Sequence, residues 1–202
     1  FIANTWETTV RVTAEHGGAP FDISRAMYSA QKVGDEVSYT RLTDGIPPGG
    51  VAIIFISHGT PNKLTEPDHA PCPVEPAILE DPMVHGTAIE RAFQLKTDAP
   101  ISAYSIYPYG GASSHLSTAT LLLPVSAWDT NYVAVSAPAP RMDWDGTKPE
   151  SLVPTSLQIV AAEDETEVRI LPKVDVVDGI GVQGAAAGEP QSYMLSKGQV
   201  LQ

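Results

Sequence analysis

The chain is nearly without cysteine, poor in basic residues and free of any long apolar run. Its single cysteine, Cys72, supports no disulfide framework within the chain; it is a buried thiol or half of a bridge to another part of the molecule. Lysine and arginine number 12 against 24 aspartates and glutamates, for a formal charge of −12. A surface of that sign repels phosphate backbones and excludes nucleic acid as a partner; its plain meaning is solubility. The longest apolar stretch, Gly49 to Ser57, falls well short of the ~20 residues that a spanning helix needs, so no transmembrane segment is expected. Phe1 opens the chain without an initiator methionine or a signal peptide, and the chain reads as cut from something longer, or processed.

Helical periodicity is scarce too. Eighteen prolines and 16 glycines punctuate the sequence, and only "DISRAMYSAQKVG" (Asp22 to Gly34) offers a short helix. Strand signals are frequent: "TTVRVT" (Thr8 to Thr13), "EVSYTRL" (Glu36 to Leu42), "VAIIFIS" (Val51 to Ser57), "YVAVSA", "LQIVAA", "EVRIL" and "QSYML". In "AIERAFQLK", Ile89, Phe93 and Leu95 share one face and Glu90, Gln94 and Lys96 the other. The next strand, "ISAYSIY", follows through "TDAP", so the pair reads as a hairpin. The expected class is all-β, built as antiparallel β-sandwich-like modules; a propeller-like arrangement of repeated antiparallel units is the alternative.

Two segments are similar at an offset of 158: "IANTWETTVRV" (Ile2 to Val12) and "VAAEDETEVRI" (Val160 to Ile170). Farther on, "SYTRLTDGIPPGGV" resembles "SYMLSKGQV", and the repeated order implies internal duplication. Residues 1–124 then form a first module with a proline-rich insertion at about 58–86, and residues 125–202 a second, incomplete one. An incomplete module leaves an unpaired sheet edge. The molecule is therefore expected to continue beyond Gln202, or the partial copies to complete each other.

Residues capable of chemistry are few. His58, Asp68, His69, Cys72 and His85 lie in or beside the insertion, but their spacing matches no standard zinc pattern. No metal site is assigned; a site there would take Cys72 and His85 first, with His58 or His69 as a third ligand. "AEDETE" (Ala162 to Glu167) crowds four carboxylates that would serve calcium, but it reads as a solvated hairpin tip. No cofactor is expected. Ser113, Ser114, His115 and Asp129 hold hydrolase residue types without a nucleophile elbow, so no enzyme is expected. Alternation places Arg11 and Arg169 outward.

The stretch "SAYSIYPYGGASSHLSTATLLLPVSAWDTNYV" is rich in aromatics. It reads mainly as structural, with Tyr104 and Tyr107 on opposite faces of a central strand covered on both sides. Its exposed residues are nevertheless the best contact candidates: Tyr107, Tyr109, Ser113, Ser114 and His115.

The run from Cys72 to Pro138, with "TDAPISAYSIYPYGG" and "LLLPVSAWDTNYV" as its specific pieces, resembles bacterial members of the family named after the N-terminal region of the IgG Fc-binding protein. "VAAEDETEVRI" and "YMLSKGQVLQ" resemble that family's repeated unit. The resemblance implies a secreted or cell-surface, β-rich module of a larger multidomain protein, with no catalytic residues. Its expected role is extracellular binding or adhesion to a protein or glycan. The alternative is a structural building block of a surface layer, stalk or filament, whose partners are other copies or modules of the same protein.

Overall fold

The computed structural model describes residues 1–57, 72–107, 109, 118–135 and 156–202. The described residues contain no α-helix, and none of their helices is long and apolar enough to cross a membrane. The fold is all-β. The chain divides into two compact units, the first holding Phe1–Met83 and Phe93–Ser126, the second Val84–Ala92 and Ala127–Gln202.

Among the described residues, unit 1 contains nine strands: β1 (Ile2–Ala3), β2 (Val12–His16), β3 (Ala19–Phe21), β4 (Met27–Val33), β5 (Glu36–Arg41) and β6 (Val51–Ile54), then, after β7 (Ile89–Arg91) has left for unit 2, β8 (Phe93–Thr97), β9 (Ser102–Tyr107) and β10 (Thr118–Leu122). Six of them form one antiparallel sheet in the order β10-β9-β1-β6-β4-β5, and three form another, β3-β2-β8. Pro20 sits in β3 at a sheet edge, where a missing N–H costs no ladder bond.

Ile2, Met27, Ile46, Ala52 and Ala103 are buried together as the core of this unit, with Val12 and Leu95 of the smaller sheet packed against them. The two sheets thus share one core in the manner of a sandwich. The pairings Ile2↔Ala52 and Ile2↔Ala103 put these three on the same face. Gly45 turns the chain into Ile46 with φ 111°; a Cβ there would lie 2.6 Å from the Val10 carbonyl oxygen, so only glycine fits. That approach lets Val10 and Ile46 exchange backbone hydrogen bonds of 3.0 and 2.8 Å.

Unit 2 pairs β11 (Ile159–Val160), β14 (Gln199–Leu201) and β7 in the order β11-β14-β7, and β12 (Thr166–Ile170) with β13 (Gln191–Leu195). Its core gathers Ala161, Val182, Tyr193, Leu195 and Leu201, with Ile89, Ile159, Val168 and Ile170 around them. Sheets of six, three, two and three strands replace the equal blades of a propeller.

Several local expectations change. "AIERAFQLK" is two strands divided at Ala92. Phe93 and Leu95 alternate together on β8, but Ile89 packs on the core of unit 2 and Leu95 on that of unit 1, so the three do not share one buried face. Strands β8 and β9 do not form a hairpin: β8 pairs with β2, and β9 with β1 and β10. The "TDAP" link carries the chain from one sheet to the other. The helix candidate is largely β4, which turns through Gly34 and Asp35 into β5. Tyr132–Val135, the described part of the expected strand "YVAVSA", pairs with no strand among the described residues, and β10 begins in the polar run ahead of "LLLP".

Candidate functional site

One face of the six-stranded sheet looks away from the unit 1 core, and part of it is sealed by aromatic rings. Phe55 meets Tyr28, Tyr39 and Tyr109 edge to face, with ring centroids 6.1, 5.8 and 4.9 Å apart, and Phe1 lies 5.9 Å from Tyr109. Such edge-on contacts follow the ring quadrupoles. The Tyr39 and Tyr109 hydroxyls share a hydrogen bond of 2.7 Å. Burial, and then that bond, push the Tyr109 phenol well above its ordinary range. Tyr109 thus anchors the chain just beyond β9.

Moving across the same sheet, the cover ends. Register places Tyr104 opposite Leu121, Ala103 opposite Leu122, and Tyr107 opposite Thr118. Tyr104, Leu121, Leu122, Leu123 and Val125 are all exposed, and Tyr107 is 69% exposed. Strand β9 is internal in sheet order but open on much of both faces; only Ala103 is buried, against Ile2, with Ile101 and Ile106 half-buried. This corrects the expectation of a central strand covered on both sides. The strand lies one position from the sheet edge, where no further layer reaches it among the described residues. Every described residue from Thr118 to Val135 is exposed. In the part belonging to unit 2, Trp128 and Tyr132 are exposed and Val133 is 90% exposed.

Of the contact candidates, Tyr107 stands on this open surface and Tyr109 in the aromatic cluster. Ser113, Ser114 and His115 lie outside the described residues, as do His58, Asp68 and His69. Cys72 belongs to unit 1; its thiol reaches toward the Ser57 carbonyl at 3.7 Å, and burial raises its pKa. His85 is exposed in unit 2. Among the described residues, no group of three or more His, Cys, Asp or Glu side chains is placed to hold a metal ion. Asp129 is engaged locally, its carboxylate accepting the Thr130 N–H at 2.7 Å.

The acidic turn is a corner between two sheets rather than a hairpin tip, since β11 pairs with β14 and β12 with β13. Asp164 accepts the Lys197 N–H at 3.0 Å, Thr166 donates its hydroxyl to the Glu163 carbonyl at 2.7 Å, and Glu165 adopts φ 55°. These are the bonds of a turn, and the acidic side chains are exposed. Arg11 and Arg169 are also exposed; Arg11 makes a 3.7 Å ion pair with Asp98.

Sequence reasoning found the aromatic stretch but not its partners. Tyr39 and Phe55 come from strands far from Tyr109 in the chain, and nothing local links them. The exposure of Leu121–Leu123 was likewise hidden, because three leucines before a proline read as a buried strand end.

Residues 118–202 match the model of a family described as IgGFc binding protein. The match covers fewer than half of the residues. It contains "LLLPVSAWDTNYV" and "VAAEDETEVRI" but not "TDAPISAYSIYPYGG", which lies ahead of it. No curated protein and no solved structure matches the chain.

Proposed function

We propose that this chain is a non-enzymatic binding and adhesion module of a larger extracellular or cell-surface protein, and that unit 1 holds a protein partner on the open β9–β10 end of its main sheet. One observation carries this reading: at the β9–β10 end of the sheet Tyr104 and Leu121 are exposed on one face, Tyr107 and Leu122 on the other, and Leu123 and Val125 are exposed just beyond β10. Apolar surface gathered in this way marks an interaction site, and tyrosines beside aliphatic residues supply the anchors typical of protein interfaces. The family description supports a protein ligand and makes an immunoglobulin Fc fragment the first probe.

The test is binding of the purified chain to immobilised Fc fragments, glycans and surface proteins, beside a variant carrying Leu121→Ser and Leu123→Ser. The variant should remain folded, because both side chains are exposed, and lose at least about tenfold in affinity, equivalent to about 1.4 kcal/mol. Equal binding by the two forms overturns the placement of the site. The second reading, a building block whose partners are copies of itself, is favoured by the outer edge of β10, open among the described residues in the order β10-β9-β1-β6-β4-β5. It requires concentration-dependent self-association in size-exclusion chromatography that the same two substitutions weaken.

A further inference from the structure

The two units use the same register in their first strand pair. Ile2 faces Ala52 and Ala3 faces Val51, while Ile159 faces Leu201 and Val160 faces Val200. The next amide repeats the match: Asn4 N–H donates to the Gly50 carbonyl at 2.9 Å, and Ala161 N–H to the Gln199 carbonyl at 3.0 Å. Strand β11 is therefore the counterpart of β1, and β14 the counterpart of β6. In unit 1 the other side of β1 is filled by β9. In unit 2 the counterpart position is open among the described residues, since β11 ends the order β11-β14-β7.

We infer that the outer edge of β11 forms an acceptor site for an extended segment of the β9 type. Backbone amides alternate in direction along a strand. Ala161 points its N–H at β14, so Val160 points its N–H and carbonyl outward, as Ala3 does toward Ser102 of β9. The burial agrees with an empty position: Ile2, flanked on both sides, is 1% exposed, whereas Ile159 is only half-buried at the rim of its core. The chemistry of the occupant follows from unit 1. It is an extended chain with a small apolar residue level with Ile159, as Ala103 is level with Ile2, and a β-branched residue two positions earlier, as Ile101 is. Main-chain bonds would supply affinity and these two side chains selectivity, the mode of strand addition to a sheet edge. This site lies in unit 2 and stands independently of the β9–β10 surface.

The test titrates the 15N-labelled full chain with a synthetic peptide of the chain's own Phe93–Tyr107. With peptide about tenfold above its Kd, exchange of the Val160 amide should slow about tenfold, with chemical-shift changes confined to β11 and its neighbours. The same peptide carrying Ala103→Pro should have no effect, because proline interrupts the ladder. A Val160→Pro chain, its Tyr193 and Leu195 signals unmoved, should also not respond. Four results overturn the inference: no response at saturating solubility, an equal response to the proline peptide, a Val160 amide already slow in the free chain, or shifts landing in β1 and β2. If Val160→Pro proves unfolded, the comparison of the two peptides still decides.

Discussion

Unit 1 and unit 2 each lead from a short strand through a loop into a longer one, and they hold the two loops by different chemistry. In unit 1 the loop closes over Asn4, which is 2% exposed. Its amide nitrogen donates to the carbonyls of Thr8, Ile46 and Pro47 at 2.8, 2.9 and 3.0 Å, and its oxygen accepts the Trp6 N–H at 2.9 Å. In unit 2 the counterpart position is Ala161, also buried, and the loop is held from outside by Asp164 on the Lys197 N–H. The same strand register is thus reached with a satisfied buried amide in one unit and with an apolar contact plus a surface cap in the other. Strand pairing specifies the register, and the loop needs only to leave no buried polar group unpaired.

The largest effects should come from the cores. Leu195→Ala in unit 2 and Ile46→Ala in unit 1 each remove a side chain that is at most 1% exposed and should cost about 2–5 kcal/mol. Hydrogen exchange should place the loss in β13 and β14 for the first and in β1 and β6 for the second. Loss of protection in both units from either change would show that they unfold as one.

Next comes the amide. Asn4→Ala leaves the Thr8 carbonyl and the Trp6 N–H to find new partners, while the Ile46 and Pro47 carbonyls keep the Val10 and Gly50 N–H groups, and should destabilise unit 1 by about 1–3 kcal/mol in urea unfolding. The mirror substitution Ala161→Asn should also destabilise, by about 1–3 kcal/mol, because it buries an amide that has no such acceptors arranged around it. A neutral outcome for both would erase the contrast between the loops.

A smaller effect distinguishes the tyrosines. The phenols of Tyr109 and of Tyr193 are both raised, Tyr109 by burial and Tyr39, Tyr193 by burial and then Asp178. Tyr193 donates its hydroxyl to the Gln183 carbonyl at 2.9 Å. A raised folded pKa means that the native state holds its proton after the unfolded chain has lost it. The contribution is complete below the unfolded value of about 10 and is lost as pH rises beyond it. Alkaline unfolding should therefore shift to higher pH in Tyr109→Phe, which at neutral pH costs about 1 kcal/mol through the lost bond to Tyr39. The smallest change is Glu165→Gly. Relief of the left-handed backbone at φ 55° should raise the melting temperature of unit 2 slightly, by about 0.5–1 kcal/mol of stability.

The class of fold was legible because alternation and proline-glycine punctuation are local. Phe93 and Leu95 do alternate on β8, but Ile89 lies on β7 and packs on the other unit's core. What alternation cannot register is the identity of the neighbouring strand, so the passage from one unit to the other at Ala92 was invisible. The similar segments were found, but identities in the Val-Arg-Val strand fixed the offset at 158. The first strand pairs share their register at 157, with Ile2 matching Ile159, while the loops that follow, residues 4–11 and 161–165, differ in length. For the candidate site, Tyr107 and Tyr109 were visible as aromatics on a turn. Their different fates depend on Tyr39 and Phe55, contacts made across long stretches of chain.

Strand β7 has a consequence for anyone who would treat the C-terminal part as an interchangeable piece. Val200 and Leu201 of β14 take their second neighbour from Glu90 and Ile89, which precede the family match by more than a strand's length. A fragment excised at Thr118 would carry the whole of the family match and leave behind the strand that completes its three-stranded sheet, so the matched segment is shorter than the sheet it belongs to.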